Sequence, residues 1–418
     1  MKELKGACII GQSGGPTSVI NASALGAIRT ALDSGTITRV LGAAHGIRGV
    51  LDDRLYDMGK EDPAELELLR YTPSSALGSV RYKMKDPDKD PKDYERILEI
   101  FRKYDVRYFF YNGGNDSMDT CNKISKFMRR SGHECRVIGI PKTIDNDLYG
   151  TDHCPGYGSA AKFIATTCME VYQDARVYDT GMITVIEIMG RNAGWLAAAA
   201  SLACLKGAGP DLVYLPELPF SLERFYIDVE EIYRRTGKVI IGVSEGIRDE
   251  KGTYISEYGS AMAQQKDAFG HAQMGGLATT LASLLQERTG AKVRGIELSL
   301  LQRCAAHLAS LTDIREAYLA GQAAVEAAIG GETDKMVAFR RDTGTRGEYL
   351  CRTELIDLHQ VANLEKKVPR EWINEAGNGM KQEFIDYALP LIQGEPHLPK
   401  EDSLPRFARL KKVLTSEV

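Results

Sequence analysis

The sequence predicts an α/β fold in which parallel sheets are covered by helices on both faces. Short runs rich in β-branched and aromatic residues alternate with longer amphipathic segments along most of the chain. Glycine-rich or charged turns follow many of the short runs, and no tandem repeat or low-complexity segment interrupts the order.

Taken in order, the runs Ala7–Gly11, Arg107–Asn112, Arg136–Ile140, Met182–Ile188, Asp211–Leu215, Lys238–Val243 and Val293–Leu298 read as strands. Val19–Asp33, Pro91–Tyr104, Ser117–Ser131, Tyr157–Tyr178, Trp195–Lys206, Leu222–Thr236, Ala272–Thr289 and Asp313–Ile329 read as helices. A length of 418 residues suggests two or three domains. We expect one lobe over 1–150 and a second over 151–345, with an approximate boundary and a chain free to cross back. A C-terminal extension, 346–418, is more polar and is expected to wrap the surface.

Composition excludes several classes. Hydrophobic residues make up 43% and charged residues 26%, as in an ordinary globular enzyme. A net charge of −4 supplies no global field for nucleic acid or membrane, so an anionic ligand needs local cations. The apolar stretch in MKELKGACII is too short for a signal peptide, and no apolar run is long enough to span a bilayer. Eight scattered cysteines without a CxxC pair predict reduced thiols and a cytoplasmic protein. Seven histidines form no HExxH, which argues against a zinc hydrolase.

In such folds ligands collect where strands end, and six motifs sit there. In IIGQSGGPTSVINAS, Gly14 and Gly15 open a strand-to-helix turn whose N–H groups favour an anion. No Walker lysine follows, but Gly11–Gly15 also fits the GxSxG elbow of serine hydrolases, with Ser13 as nucleophile. In YNGGNDSMDT, the glycine pair before Asn115, Asp116 and Ser117 suits phosphate or a divalent cation; the bland alternative is a helix cap. In GIPKTIDNDL, Asp145 and Asp147 stand beside Lys142 and Thr143. One carboxylate there can accept a hydroxyl proton, the other can help hold Mg²⁺, and the ammonium can balance a migrating phosphoryl group.

The other three motifs add cations and a carboxylate. EIMGRNAGW places Arg191, a bidentate donor for phosphoryl oxygens, after a strand. VSEGIR places Glu245 where it can bind sugar hydroxyls. VRGIELSLLQR carries Arg294 and Arg303, suited to a phosphate monoester, although each alone reads as a surface or ion-pair residue. Together these strand ends imply phosphoryl transfer to a polar, phosphorylated acceptor.

From about Gly6 to Gly330 the sequence closely resembles the phosphofructokinase family, with Pro141–Asp147 (PKTIDND), Met189–Arg191 (MGR) and Ser244–Gly246 (SEG) in the family's order. The resemblance implies two Rossmann-like αβα sandwich domains, the first binding the donor and the second the sugar phosphate, followed by the C-terminal extension. It implies that Gly15 and Arg81 contact the donor phosphates and that Asp145 takes the proton of the sugar's 1-hydroxyl. Thr143, Ile144, Asp145, Met189, Gly190 and Arg191 would line the sugar phosphate. Glu245 would bind sugar hydroxyls, and Arg294 and Arg303 would hold the 6-phosphate. Some of these arginines come from a neighbouring subunit in the family, so a homodimer or homotetramer is expected. Asn115 stands where the family usually has a metal-associated aspartate, which leaves Asn115 with Asp147 as the expected Mg²⁺ site and Asp116 or the donor itself as supplements.

Donor choice rests on Asp116 and Lys142, where members that use ATP typically carry glycine. An Asp116 carboxylate opposes a nucleotide's α-phosphate, and Lys142 clamps a smaller anion. The resemblance therefore implies reversible transfer from diphosphate to fructose 6-phosphate. The alternatives are ATP as donor, or sedoheptulose 7-phosphate as an additional acceptor. Leu300, Met182, Cys304 and Ala305 depart from the family pattern around the acceptor.

Overall fold

The structure, a computed structural model, describes residues 4–259, 276–345, 347–361 and 364–415. Its first sheet has seven strands: β1 (Gly6–Gln12), β2 (Ile37–Ala43), β3 (Leu55–Asp57), β4 (Val106–Gly113), β5 (Arg136–Pro141), β10 (Lys335–Thr343) and β11 (Tyr349–Asp357). They lie in the order β11-β10-β5-β4-β1-β2-β3. The interior pairs are parallel, with Ile9 beside both Leu41 and Phe109, and Phe109 beside Val137. Only the two edge strands, β3 and β11, run antiparallel to their neighbours. The second sheet is wholly parallel, in the order β7 (Leu212–Tyr214), β8 (Lys238–Ser244), β6 (Met182–Ile188) and β9 (Val293–Glu297).

Helices cover both faces of each sheet because strands buried on two sides must be screened from water. On the first sheet, Tyr94, Ile97 and Phe101 of helix Lys92–Lys103 and Met118, Cys121 and Ile124 of helix Asn115–Arg130 fill one face. Their spacing of three to four residues is one helical stripe. The opposite face takes Ile20–Leu32 and Leu311–Ile329. Those two helices pack so closely that a methyl group at Gly321 would sit 1.9 Å from the Ser23 carbonyl oxygen. Glycine is the residue that permits this contact.

Every expected strand forms, within a residue or so of its expected bounds. The expected helices form as well, with Trp195–Lys206 continuing as 3₁₀ after Ala199 and Leu277–Thr289 shorter than expected at its start. Residues 272–275 of that expectation lie outside the described residues. Strands β2, β3, β10 and β11 were not expected.

The last two of these alter the domain description, because the chain does cross back. Residues 311–357 supply a helix and two strands to the first lobe, so the range 151–345 is not one lobe. Nor does the extension merely wrap the surface. Phe384, Tyr387, Ala388 and Leu391 are buried in the core of the second lobe, while Leu410 and Leu414 pack on the first. Among the described residues no helix is long and apolar enough to cross a membrane.

Candidate active site

The carboxyl ends of β1, β4 and β5 face those of β6, β8 and β9 across a cleft of about 910 Å³. This is the crevice where parallel α/β sheets bind ligands. The turn after β1 is braced from below by buried Gln12 and Asn21. Gln12 Nε2 donates to Asn21 Oδ1 (2.9 Å), and Gln12 Oε1 accepts from the Leu77 N–H (3.0 Å). Asn21 Nδ2 donates to the Thr72 carbonyl (2.9 Å), and Ser79 Oγ donates to the Gly14 carbonyl (2.7 Å). These bonds lay the 72–80 segment along the Gly14–Gly15 turn and so deliver Arg81 to the cleft.

Lys142 follows β5 and is almost wholly buried. Its Nζ donates to the Gly15 carbonyl oxygen (2.7 Å) and would lie 3.2 Å from a methyl group at Gly14. Arg303 reaches the same turn from the other lobe, with Nη1 3.0 Å from where a methyl group at Gly15 would sit. A methyl group at either position would crowd one of these cations, and Gly14, at φ +75°, also holds a backbone conformation that favours glycine.

After β4, Gly114 is the N-cap of helix Asn115–Arg130 and no side chain bonds the cap. The capping alternative therefore fails. Asn115 and Asp116 occupy the first turn with side chains lining the cleft, and Asp116 is exposed at its rim. The helix dipole favours the Asp116 carboxylate there.

The electrostatics are those of a partly desolvated site. Burial lowers the Lys142 ammonium to about 8 against the opposing pull of Asp145 and Asp147. Burial raises Asp145, while Lys142, Arg303 and Arg191 pull it down. Burial, then the Asp145 charge, pushes Asp147 up to about 7. Burial also carries Glu245 up to about 7, despite the N–H of Gly190 donating to its Oε1 (3.2 Å). Four titrating groups shifted by the same cleft mark a candidate reaction centre.

A divalent cation fits one corner. Among the described residues Asn115 Oδ1 is buried without a hydrogen-bond partner, and Asn115 Nδ2 donates to Asp147 Oδ2 (3.3 Å). A carbonyl oxygen and a carboxylate side by side are ligands of the type Mg²⁺ takes, usually with several waters retained.

In the second lobe the turns after β6 and β8 lock together. Ser244 Oγ donates to the Gly190 carbonyl (2.5 Å), and a methyl group at Gly246 would sit 1.9 Å from the Arg191 carbonyl oxygen. The Met189 N–H donates to Oε1 of buried Gln302 (3.1 Å), tying in the turn after β9. Gly246→Ala should therefore displace Arg191, costing about 10²-fold in kcat/KM. Steady-state kinetics alongside a thermal melt test this; wild-type kinetics would sink it.

Gly15, Arg81, Asn115, Asp116, Lys142, Thr143, Ile144, Asp145, Asp147, Met189, Arg191, Glu245 and Arg303 all line the cleft, and Gly190 adjoins it through Glu245. Arg294 does not. It lies on β9, an edge strand, 4.0 Å from Asp174, and borders a separate hollow of about 270 Å³ with Glu170 and Ile296. Sequence reasoning missed Asn192, Gln302, Leu364 and Glu365. The last two come from the extension, where Asn192 Nδ2 donates to Glu365 Oε1 (2.9 Å), and no motif marks them. Gln302 directly precedes Arg303 and was within reach of the motif reading. Among the described residues that line the cleft around Ser13 there is no histidine to serve it as a base.

Comparison with known proteins agrees with this geometry. The family model described as phosphofructokinase matches residues 7–296. A protein of Halomonas elongata named pyrophosphate–fructose 6-phosphate 1-phosphotransferase is 44% identical, covering 96% of this chain and 95% of that one. Its namesake from Methylococcus capsulatus is 43% identical, covering 96% and 95%. The crystal structure of a pyrophosphate-dependent phosphofructokinase from Marinobacter aquaeolei superposes with a TM-score of 0.88 at 39% identity, covering 98% and 97%. On these matches, and with a lysine and two carboxylates set between two facing sheets whose interior strands are parallel, the chain belongs to the phosphofructokinase family.

Proposed function

We propose that this chain reversibly transfers a phosphoryl group from inorganic diphosphate to the 1-hydroxyl of fructose 6-phosphate, giving fructose 1,6-bisphosphate and orthophosphate. The observation that carries this reading is the buried Lys142 ammonium, hydrogen-bonded to the Gly15 carbonyl directly under the donor turn. A small dianionic donor can meet that ammonium, while the adenylate portion of ATP would have to pass the Asp116 carboxylate.

Asp145 accepts the proton of the 1-hydroxyl as the oxygen attacks. Lys142, Arg81 and Arg191 surround the migrating group, where positive charge matters most in a loose transition state. Gly15 and Asp116 border the donor. Thr143, Ile144, Met189 and Gly190 shape the sugar-phosphate side, Glu245 binds sugar hydroxyls, and Arg303 spans donor and acceptor. Magnesium, held by Asn115 and Asp147, would neutralise charge on the diphosphate.

Arg294, turned outward on β9, serves the 6-phosphate site of a neighbouring copy in a homodimer or homotetramer. The eight unpaired cysteines support a reducing, cytoplasmic setting.

The deciding experiment is a donor panel. Purified protein with fructose 6-phosphate and magnesium should form fructose 1,6-bisphosphate with diphosphate at least about 10²-fold faster, in kcat/KM, than with ATP. Equal or faster turnover with ATP would overturn the donor assignment.

A further inference from the structure

We propose that Tyr387, in the C-terminal extension, is a positioning residue for the reaction centre: through Asn146 it holds the turn that carries Asp145 and Asp147. The proposal rests on the phosphoryl-transfer reading of those carboxylates.

Asn146 lies between the two and has φ +56°, in the left-handed region that asparagine tolerates better than most residues. The two flanking carboxylates line the cleft, whereas the Asn146 side chain is wholly buried behind them. Both ends of its amide are bonded. Nδ2 donates to the Tyr387 hydroxyl (2.8 Å), and Oδ1 accepts from the Cys154 N–H (2.9 Å). The Tyr387 hydroxyl in turn donates to the Asp152 carbonyl (2.8 Å). One oxygen, 241 residues away in sequence, therefore pins the reactive turn to the loop that follows it.

Tyr387 is itself rigidly placed. Its ring lies 5.2 Å from Trp195 and 5.3 Å from Trp372 between centroids, and the Arg341 guanidinium stands over it at 4.8 Å. Arg341 Nη2 also donates to the Tyr387 carbonyl (2.9 Å) and is paired with Asp152. The same extension grips the turn a second time, where the Lys366 N–H donates to the Asp147 carbonyl (2.8 Å). A catalytic group supported in this way keeps its alignment without moving at the moment of reaction.

The test removes one oxygen. Tyr387→Phe leaves the ring in its aromatic box, so the fold should persist. We expect kcat with diphosphate to fall about tenfold and KM for both substrates to stay within about threefold. Asn146→Gly, which adopts positive φ freely, should lose about as much, and the double variant should be no worse than the poorer single, because the two act as one unit. Wild-type kcat in Tyr387→Phe, or losses that multiply in the double variant, would overturn the proposal. Tyr387→Phe decides alone if the glycine variant does not purify. Asp145→Asn, run in parallel, separates the failures: if it keeps full activity, the reading of the carboxylates has failed and not the role of Tyr387.

Discussion

Asp145→Asn should lower kcat by about 10³-fold, in the middle of the range that a positioned general base contributes. The substitution preserves shape. The Asp145 backbone N–H still donates to Thr143 Oγ1 (3.1 Å), so the turn keeps its geometry. What is lost is the group that takes the hydroxyl proton, and KM for fructose 6-phosphate should change much less. A second signature follows from charge. Asp145 helps hold the Lys142 ammonium up against burial, so the variant should lose its lysine charge at lower pH than the wild type. Steady-state pH profiles in both reaction directions measure both effects; undiminished activity would remove Asp145 from the mechanism.

Lys142→Met should lower kcat/KM for diphosphate by about 10²–10³-fold, the loss typical of removing one fixed donor from a developing anion. The pH dependence has a definite sign. The lysine charge is present below about 8 and lost above it, so kcat/KM of the free wild-type enzyme falls as pH rises through that value. Asp145 acts as a base only when ionised, so activity also falls at acid pH. Methionine should abolish the alkaline limb. It should also move the acid limb upward, because Lys142 is the largest influence drawing Asp145 down. Replacing Asp116 and Lys142 together by glycine should narrow the preference for diphosphate over ATP. An alkaline limb that persists in Lys142→Met would show that another group titrates there.

Much of the site was legible in the sequence because its signals are local. A β-branched run followed by Gly-Gly, or by Lys-Thr-Ile-Asp-Asn-Asp, specifies a strand and the turn after it within a dozen residues. Strands β10 and β11 carried no such signal. KMVAFRRDT and YLCRTELID mix charge with apolar residues, as an edge hairpin half open to solvent allows. Their place in the first sheet depends on Met336 lying beside Gly139, a pairing that no local pattern encodes.

The sequence by itself determined the class of chemistry: a phosphate turn, a base beside a lysine, and arginines at successive strand ends. Tertiary structure alone decided which of these share a cleft. It left Arg294 outside on an edge strand and brought Glu365 in. It also set the Tyr387 hydroxyl behind the reactive turn. The physical reason is that strand and turn formation follow short-range periodicity and backbone preference. Convergence of residues hundreds of positions apart follows only from how buried faces pack and how buried polar groups find partners.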